Sequence, residues 1–195
     1  MSLAIIVPYR DREEHLKIFV PYMNQYLPED ELIIVDQADN KPFNRGRLLN
    51  IGALNTLSDY LVFHDIDMLP IKVGYNERDG VTQIAFSEIQ LINYLGGVTM
   101  FDKPTFKKSQ GFHNDFFHRA EDNEMMFNLR SKKIPVLNRF GIFKQLPHER
   151  NSPEFIPELW EKAQLPRTVN MIQTCEYELI SKEKKEGYTH IKVKL

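Results

Sequence analysis

Residues 60–67 read YLVFHDID, a short apolar run that is followed at once by two aspartates. Two similar runs precede it, LAIIV at 3–7 and LIIV at 32–35. Between the runs, apolar side chains recur at helical spacing from Leu16 to Tyr26 and from Phe43 to Leu57. The order strand, helix, strand, helix, strand is typical of a parallel sheet flanked by helices. We therefore expect an α/β fold with a mainly parallel central sheet.

Prolines and turn residues set the expected limits of these elements. Pro8 should close the first strand, Pro21 should kink or break the first helix, and a turn should follow the aspartates at 68–70. The second half of the chain is less regular. The elements predicted there are a strand at Val81–Phe86, a loop at Tyr94–Val98 that leads into a strand, helices at Pro104–Ser109, Ala120–Arg130 and Pro157–Ala163, and a terminal hairpin of Tyr177–Ile180 and Thr189–Val193 with its turn at Lys182–Gly187.

Composition favours one globular domain over residues 1–195, with 42% hydrophobic and 27% charged residues. A formal net charge of -2 gives no basic excess, so binding to nucleic acid through bulk charge is not expected. The single cysteine, Cys175, cannot close a disulfide within the chain, so nothing requires an oxidising compartment. No run of 18 uncharged apolar residues occurs, so we expect no integral membrane segment and a cytoplasmic location.

Three polar clusters follow the three predicted strands, at residues 10–12, 36–39 and 65–67. In parallel α/β sheets, ligands bind beyond the carboxyl ends of the strands, so these clusters should meet at one edge. Asp65 and Asp67 lie two residues apart and could together hold a divalent cation that bridges a diphosphate. An isolated Asp-x-Asp more often only caps a loop, but the apolar frame on both sides favours the metal site.

Five charged residues are further candidates, each with an alternative role. Arg10 and Arg12 can face phosphates or a carboxylate at the sheet edge, or form surface salt bridges with neighbouring acids. Arg45 lies where the second helix opens and backbone N–H groups favour an anion, although ordinary capping explains the same pattern. Either Glu121 or Asp122 can act as a general base, or both can serve only the helix dipole.

Histidines and known catalytic motifs narrow the chemistry further. His113, His118 and His148 are candidate metal ligands, although a lone histidine is more often structural or solvated. The chain has no nucleophile elbow, Walker loop, Rossmann glycine fingerprint or HExxH motif. Covalent acyl chemistry and P-loop chemistry are therefore not expected.

An ordered set of motifs resembles the β-1,4-galactosyltransferase family, which is glycosyltransferase family 7. The resemblance spans nearly the whole chain, and five motifs in the same order are far more specific than any one of them. The motifs are Val7–Leu16, Phe43–Gly52, Phe63–Pro70, Tyr94–Val98 and Glu121–Asn128, with a closing hairpin from Tyr177 to Ile191.

This resemblance implies a GT-A fold, a UDP-sugar donor such as UDP-galactose, a saccharide or glycoconjugate acceptor, a divalent metal such as manganese, and inversion at the anomeric carbon. A nucleotide-binding half would cover about 1–70, and a half that binds the acceptor and completes the metal site would cover about 80–195. The residues that the resemblance assigns to the nucleotide-sugar are Pro8, Tyr9, Arg10, Arg12, Phe43, Arg45, Asp65, Gly96 and Gly97.

The same resemblance assigns the metal and the catalytic groups. Asp67 and His148 would ligate the metal, and Gln145 would be a weak further ligand. Asp122 would be the catalytic base, and Glu121 would be the carboxylate on the acceptor side.

Three departures from the family pattern bear on function. The Gly-Trp-Gly-Gly that precedes the family's acidic helix reads FHRA at 117–120, so acceptor specificity and loop closure do not carry over. The family's other metal ligand, a Met or His, falls near Gln145, which is a poorer ligand. We expect no counterpart of the stem, anchor and disulfides of the animal enzymes, as in a bacterial-type cytosolic enzyme of surface polysaccharide synthesis that is at most peripheral to the inner membrane.

Two other functions stay open. A nucleotide-sugar or glycan-binding module would keep the sheet and lose turnover, which the altered stretch at 117–120 supports. A metal-dependent phosphohydrolase would use Asp65 and Asp67, but the further carboxylates or histidines that it needs are not clustered in the sequence.

Overall fold

The computed structural model describes residues 2–28, 30–75, 80–85, 94–116, 120–147 and 157–195. Predictions for other residues, such as Phe86, His118 and His148, lie outside the described residues. In chain order the elements are β1 (Leu3–Tyr9), α1 (Glu13–Tyr26), β2 (Glu31–Gln37), α2 (Arg45–Leu54), β3 (Tyr60–His64), β4 (Met68–Lys72), β5 (Val81–Gln83), β6 (Val98–Asp102), α3 (Lys103–Ser109), α4 (Glu121–Ser131), β7 (Val136–Asn138), β8 (Ile142–Gln145), α5 (Pro157–Ala163), β9 (Glu178–Lys185) and β10 (Tyr188–Lys194).

The main sheet has eight strands in the order β7-β5-β6-β3-β1-β2-β10-β9. Its centre is parallel, because β1 pairs with both β2 and β3 and β10 pairs with β2 in the same direction. Antiparallel pairs join β6 to β3 and β9 to β10, towards the two ends. The expected α/β architecture with a mainly parallel centre is confirmed.

Both faces of the sheet are covered, which explains why the middle residues of β1, β2 and β3 are apolar one after another. Side chains alternate between the faces of a strand. Ile6 of β1 therefore packs with residues of α2, α3 and α4, such as Leu48, whereas Ile5 faces the other side and packs with residues of α1, such as Phe19. The molecule is a sheet between two helical layers.

Two prolines sit inside elements that they were expected to end. Strand β1 continues through Pro8 to Tyr9, and its register with β3 stops at Ile6, so the missing N–H of Pro8 lies past that pairing. Helix α1 is continuous from Glu13 to Tyr26 with Pro21 inside it and exposed, so Pro21 does not break the helix, and the alternative of a kink stays a prediction.

The turn predicted at Met68-Leu69-Pro70 is also wrong, because these residues begin β4. Strand β4 pairs antiparallel with β8 in a separate two-stranded sheet, in which Met68 lies opposite Gln145. Tyr22 and Tyr26 of α1 donate hydrogen bonds to the carbonyls of Pro70 and Val73, which fixes this small sheet against the α1 layer. The pairing partner is more than 70 residues away, so local sequence could not reveal it.

The terminal hairpin is confirmed, although its first strand is longer than expected. Strand β9 runs from Glu178 to Lys185, so the turn is confined to residues 186–187. Strand β10 extends the main sheet by pairing parallel to β2. Within the described ranges, no helix combines the length and apolar character needed to cross a bilayer.

Candidate active site

The carboxyl ends of β1 and β2 open into a polar cavity of about 280 Å³. The parallel register places Tyr9, Asp36 and Lys192 side by side on three adjacent strands, and all three line the cavity. Arg10 lines it as well, and residues 36–40 form its far wall. The cavity therefore lies where open α/β sheets bind ligands.

A buried glutamine fixes the loop between β2 and α2. Gln37 donates hydrogen bonds from Nε2 to Asp39 and to the carbonyls of Lys41 and Pro42, and its Oε1 accepts the N–H of Asn44. The wall of the cavity is thus tied to strand β2 through one side chain.

Arg10 closes the same loop from the side of β1. Its guanidinium donates to the carbonyl of Lys41 at 2.6 Å and lies 5.3 Å from the ring centroid of Phe43. Arg12 has a different place, at the N-cap of α1, where its carbonyl accepts the N–H of Leu16. Of the two predicted arginines, Arg10 lines the cavity and Arg12 does not.

Arg45 joins three elements through ion pairs at the same edge of the sheet. Its Nε donates to Asp65 Oδ1 at 2.8 Å, and its Nη1 donates to Asp122 Oδ1 at 2.7 Å. The same Nη1 lies 3.8 Å from Glu121 Oε1. Its Nη2 is buried and has no hydrogen-bond partner among the described residues. Four residues, predicted from three separate motifs, therefore meet in one pocket.

Gly46 explains how the first turns of α2 and α4 come close enough for these contacts. A Cβ at this position would lie 2.9 Å from the carbonyl oxygen of His113 and 3.4 Å from Cβ of Glu121. Asn50, one turn further along α2, holds the next segment in place by bonding both the N–H and the carbonyl of Phe112. Helix α2 thus carries both Arg45 and the contacts that place α4.

Burial gives the carboxylates of this pocket unusual protonation behaviour. Glu121 and Asp122 are 6% and 5% exposed. Burial raises the pKa of Asp122 well above its ordinary value, and the charges of Glu121 and Asp65 raise it further, whereas Arg45 opposes the shift. A carboxylate with a raised pKa is a better proton acceptor near neutral pH. Burial, with the charges of Asp122 and Asp65, also raises the pKa of Tyr94 beside the pocket.

The turn after β3 is shaped by a neutral histidine and by a glycine. Burial lowers the pKa of His64 to about 4, and its ring lies 2.9 Å from the carbonyl of Asp65 and 3.0 Å from the hydroxyl of Tyr75. Asp65 donates its N–H to the carbonyl of Gly97 at 3.1 Å. Gly97 has φ +76, and a Cβ there would lie 3.2 Å from Met68 Sδ. Gly96 accepts a hydrogen bond from Gln83 and so belongs to the same packed turn.

Asp67 and Gln145 form a third part of the site, beside the small sheet. The carbonyl of Asp67 accepts the N–H of Leu146 at 2.7 Å, and its Oδ2 accepts from Gln145 Nε2 at 3.2 Å. One carboxylate and one amide are oxygen donors that suit a hard divalent cation. Across the described ranges, no group of three His, Cys, Asp or Glu side chains is placed to hold a metal. The third predicted ligand, His148, follows Pro147, the last described residue of this segment.

Two residues of the site were not predicted as binding residues. Lys192 comes from β10, and only the pairing of β10 with β2 brings it to the cavity. Tyr94 precedes the glycine turn and belongs to a motif that the sequence did reveal. The candidate His113 has a structural place: burial lowers its pKa to about 4, it accepts the N–H of Asp115, and its ring contacts Phe116.

Comparison with known proteins gives consistent results for sequence and fold. Residues 1–76 match the N-terminal region of glycosyl transferase group 7. The chain is 27% identical to human β-1,4-galactosyltransferase 4, and the alignment covers 98% of this chain and 62% of that protein. It is 30% identical to mouse β-1,4-galactosyltransferase 7 over 155 residues, which cover 72% of this chain and 47% of that protein. The chain thus spans about half to three fifths of the curated relatives it matches.

Solved structures show the fold. The catalytic domain of Drosophila β-1,4-galactosyltransferase 7, in a complex with xylobiose, superposes with a TM-score of 0.89 at 22% identity and covers 100% of this chain and 94% of that one. A mutant of that enzyme in complex with manganese, UDP-Gal and xylobiose gives a TM-score of 0.86. The expected GT-A fold is confirmed.

Replacing Arg45 with Met should destabilise the fold in a pH-dependent way. Asp122 binds its proton more tightly in the folded state than in the unfolded state, where its pKa is about 4. This contribution to the stability of the fold is complete below that unfolded pKa and is lost as the pH rises through the folded pKa. Removing Arg45 raises that folded pKa further. The free energy of unfolding that the variant loses should therefore grow with pH and reach about 3–5 kcal/mol at pH values above 7. Urea unfolding at pH 5 and pH 8 measures it.

The double variant Arg45→Met/Asp122→Asn is the matched control, because it removes the carboxylate whose titration drives the effect. Its stability difference from the wild type should depend less on pH. If Arg45→Met loses the same free energy at both pH values, the ion pairs do not govern the protonation of this pocket.

Proposed function

We propose that the chain is a metal-dependent, inverting glycosyltransferase, because its first 76 residues match the N-terminal region of glycosyl transferase group 7 and nearly the whole chain is similar to β-1,4-galactosyltransferases. It transfers a hexosyl group, galactose or N-acetylgalactosamine, from a UDP-sugar to a hydroxyl of a saccharide acceptor. The division into a nucleotide-binding half at about 1–70 and an acceptor and metal half at about 80–195 belongs to this proposal. The cytoplasmic location and the role in surface polysaccharide synthesis stay predictions.

One observation carries the proposal: Arg45 binds Asp65 and Asp122 at once. Asp65 comes from the Asp-x-Asp at the end of β3, and Asp122 comes from the first turn of α4. The cavity at the ends of β1 and β2 lies along the same edge of the sheet. A nucleotide in that cavity and a sugar beside Asp65 would put the bond to be broken close to a buried carboxylate.

The reaction follows from the chemistry of these groups. The acceptor oxygen attacks the anomeric carbon and forms the new glycosidic bond, while the bond from that carbon to the diphosphate breaks and UDP leaves with the electron pair. Asp122 takes the proton of the attacking hydroxyl, which its raised pKa favours. Glu121 accepts a hydrogen bond from another hydroxyl of the acceptor and orients it. A single displacement inverts the anomeric centre, so no second nucleophile is needed.

The metal would be held by Asp67 and His148, with Gln145 as a weaker ligand. The amide of Gln145 already lies against Asp67, and its oxygen could turn towards a cation by rotation of the amide. When bound, a divalent ion such as manganese would neutralise the charge that develops on the diphosphate. The related Drosophila enzyme was crystallised with manganese, UDP-Gal and xylobiose, which supports both the metal and the donor.

The direct test is transfer of labelled galactose from UDP-galactose to a panel of soluble saccharides, with manganese and with chelator. Transfer or slow donor hydrolysis that requires manganese supports the proposal. Manganese-dependent thermal stabilisation by UDP-sugars without any turnover would instead identify a binding module. Release of phosphate from simple phosphoesters would identify a phosphohydrolase.

Arg10→Ala should weaken UDP binding by about 1–3 kcal/mol, because its guanidinium lines the cavity and can pair with a charged ligand. Lys192→Ala should cost up to about 1 kcal/mol, because this lysine is exposed. Titration calorimetry with UDP measures both. The control Lys184→Ala removes an equal charge from β9, away from the cavity lining, and should leave the affinity unchanged. If all three variants bind UDP as tightly as the wild type, the nucleotide does not bind in this cavity.

Asp67→Ala should abolish the manganese-dependent part of UDP binding and leave the fold intact, because Asp67 is partly exposed after a buried strand. His148→Ala should weaken manganese affinity, and Gln145→Ala should have the smallest effect of the three. The readout is a manganese titration of UDP affinity, with thermal unfolding as the folding control. Unchanged metal dependence in Asp67→Ala would contradict the assignment.

Asp122→Asn should lower the transfer rate by about 10²–10⁴-fold, the usual contribution of a general base. Donor binding should survive, because the carboxylate acts on the acceptor hydroxyl. Glu121→Gln should mainly raise the KM for the acceptor. If Glu121→Gln is inactive and Asp122→Asn transfers at the wild-type rate, the two roles are exchanged. If both variants keep full activity, the catalytic role of this helix is wrong.

A further inference from the structure

The small sheet and the adjoining edge of the main sheet present a surface of exposed apolar and basic side chains, which we call the basic apolar face. Its apolar members are 45–57% exposed. The face consists of Ile71, Lys72, Leu137, Arg139, Phe140, Ile142 and Lys144.

Strand geometry puts these side chains on the outside of the molecule. In β8, Phe143 turns inward, with its ring 6.0 Å from that of His64, so its neighbours Ile142 and Lys144 turn outward and are exposed. Ile142 lies opposite Lys72 of β4, and directly opposed residues share a face. An apolar and a basic residue therefore stand side by side across the small sheet.

The edge strand β7 continues this surface. Val136 packs into the core on the α2–α4 side, so Leu137 turns to the opposite side of the main sheet, where the small sheet lies. Arg139 and Gly141 donate their N–H groups to the carbonyls of Gln83 and Ile84, which fixes the backbone between β7 and β8. The face is thus carried by anchored backbone.

The charge of the face has one sign. No Asp or Glu occurs at 68–75 or at 130–147, although acids outnumber bases in the whole chain by 27 to 25. Lys72, Arg139 and Lys144 form no ion pair with the described residues. Within the described ranges, these cations therefore have no carboxylate partner and can attract an anionic ligand.

We propose that the basic apolar face docks on an anionic lipid bilayer and holds the protein at the membrane surface. Cations attract a negatively charged membrane, and apolar side chains gain by entering the boundary between headgroups and acyl chains. The aliphatic side chains of Ile71, Leu137 and Ile142 favour a bilayer over a nucleic acid, because contact with phosphates would not bury them in an apolar environment. This docking is independent of the proposed reaction.

The position of the face gives the docking a consequence for the site. Strand β8 carries Ile142 and Lys144 of the face and ends at Gln145, which bonds Asp67, so the face adjoins the predicted metal ligands. If the proposed transfer is correct, docking would hold the acceptor half close to saccharides that are attached to the membrane.

Flotation with vesicles tests the proposal on the full chain. Wild type should bind vesicles of phosphatidylcholine with 30% phosphatidylglycerol, bind pure phosphatidylcholine weakly, and dissociate as salt is raised. Lys72→Gln/Arg139→Gln/Lys144→Gln should weaken binding about 100-fold, since each cation near a charged membrane contributes about tenfold or less. Ile71→Ser/Ile142→Ser should weaken binding to the anionic vesicles at least tenfold.

Matched controls separate the face from bulk properties. Lys108→Gln/Lys184→Gln/Lys185→Gln removes the same charge elsewhere, and Leu165→Ser/Leu179→Ser removes exposed leucines elsewhere. Both should bind vesicles like the wild type, and all variants should keep the wild-type melting temperature and UDP affinity. Failure of the wild type to bind anionic vesicles, or equal losses in the controls, would overturn the proposal. So would tight binding to single-stranded RNA that the isoleucine variant retains.

Discussion

One guanidinium, that of Arg45, holds the site together. It lies between three carboxylates, those of Asp65, Glu121 and Asp122, which come from two distant parts of the chain. Opposite charges 2.7–2.8 Å apart attract strongly where solvent is largely excluded, and breaking such a pair leaves an uncompensated charge. The end of β3, the start of α2 and the start of α4 are therefore fixed relative to one another through one side chain.

The sheet and a glycine make this arrangement possible. Parallel pairing of β1 with β2 and β3 puts their carboxyl ends at one edge, which is why clusters far apart in sequence become neighbours. Gly46 then removes the side chain that would keep α2 away from the segment at 112–113 and from Glu121. Core packing and polar chemistry are thus coupled: the residues that bring the helices together also decide which charges face each other.

Local sequence was sufficient to predict an element wherever the pattern that identifies the element lies in its own residues. The central strands are apolar and short, so β1, β2 and β3 could be predicted, and with them the edge that carries Asp65 and Asp67. Local sequence failed where a distant partner decides the outcome. Pro70 reads as part of a turn until β8 pairs with β4. Nothing near Lys192 in the sequence links this residue to the cavity, which it reaches only because β10 pairs with β2. Pro8 reads as a strand end because local sequence does not show that pairing with β3 stops earlier.

The candidate site shows the same division. The carboxylates and arginines could be named from motifs, because each motif keeps its residues contiguous. Their mutual contacts could not, since the Arg45–Asp122 pair joins residues 77 apart and depends on the packing of α2 against α4. The pKa of Asp122 could not be predicted from sequence either, because burial raises it and Arg45 lowers it, and only the structure gives the degree of burial and the contact with Arg45.

The groups around Arg45 do not give the most stable fold that this position could have. Three carboxylates face one guanidinium, and Nη2 of Arg45 is buried without a partner among the described residues. An unsatisfied buried donor costs about 1–3 kcal/mol, and a well-packed apolar cluster would avoid that cost. Departures of this kind are expected where a ligand completes the hydrogen bonding. A sugar offers hydroxyl groups that can accept a hydrogen bond from Nη2, so a bound sugar would satisfy this donor.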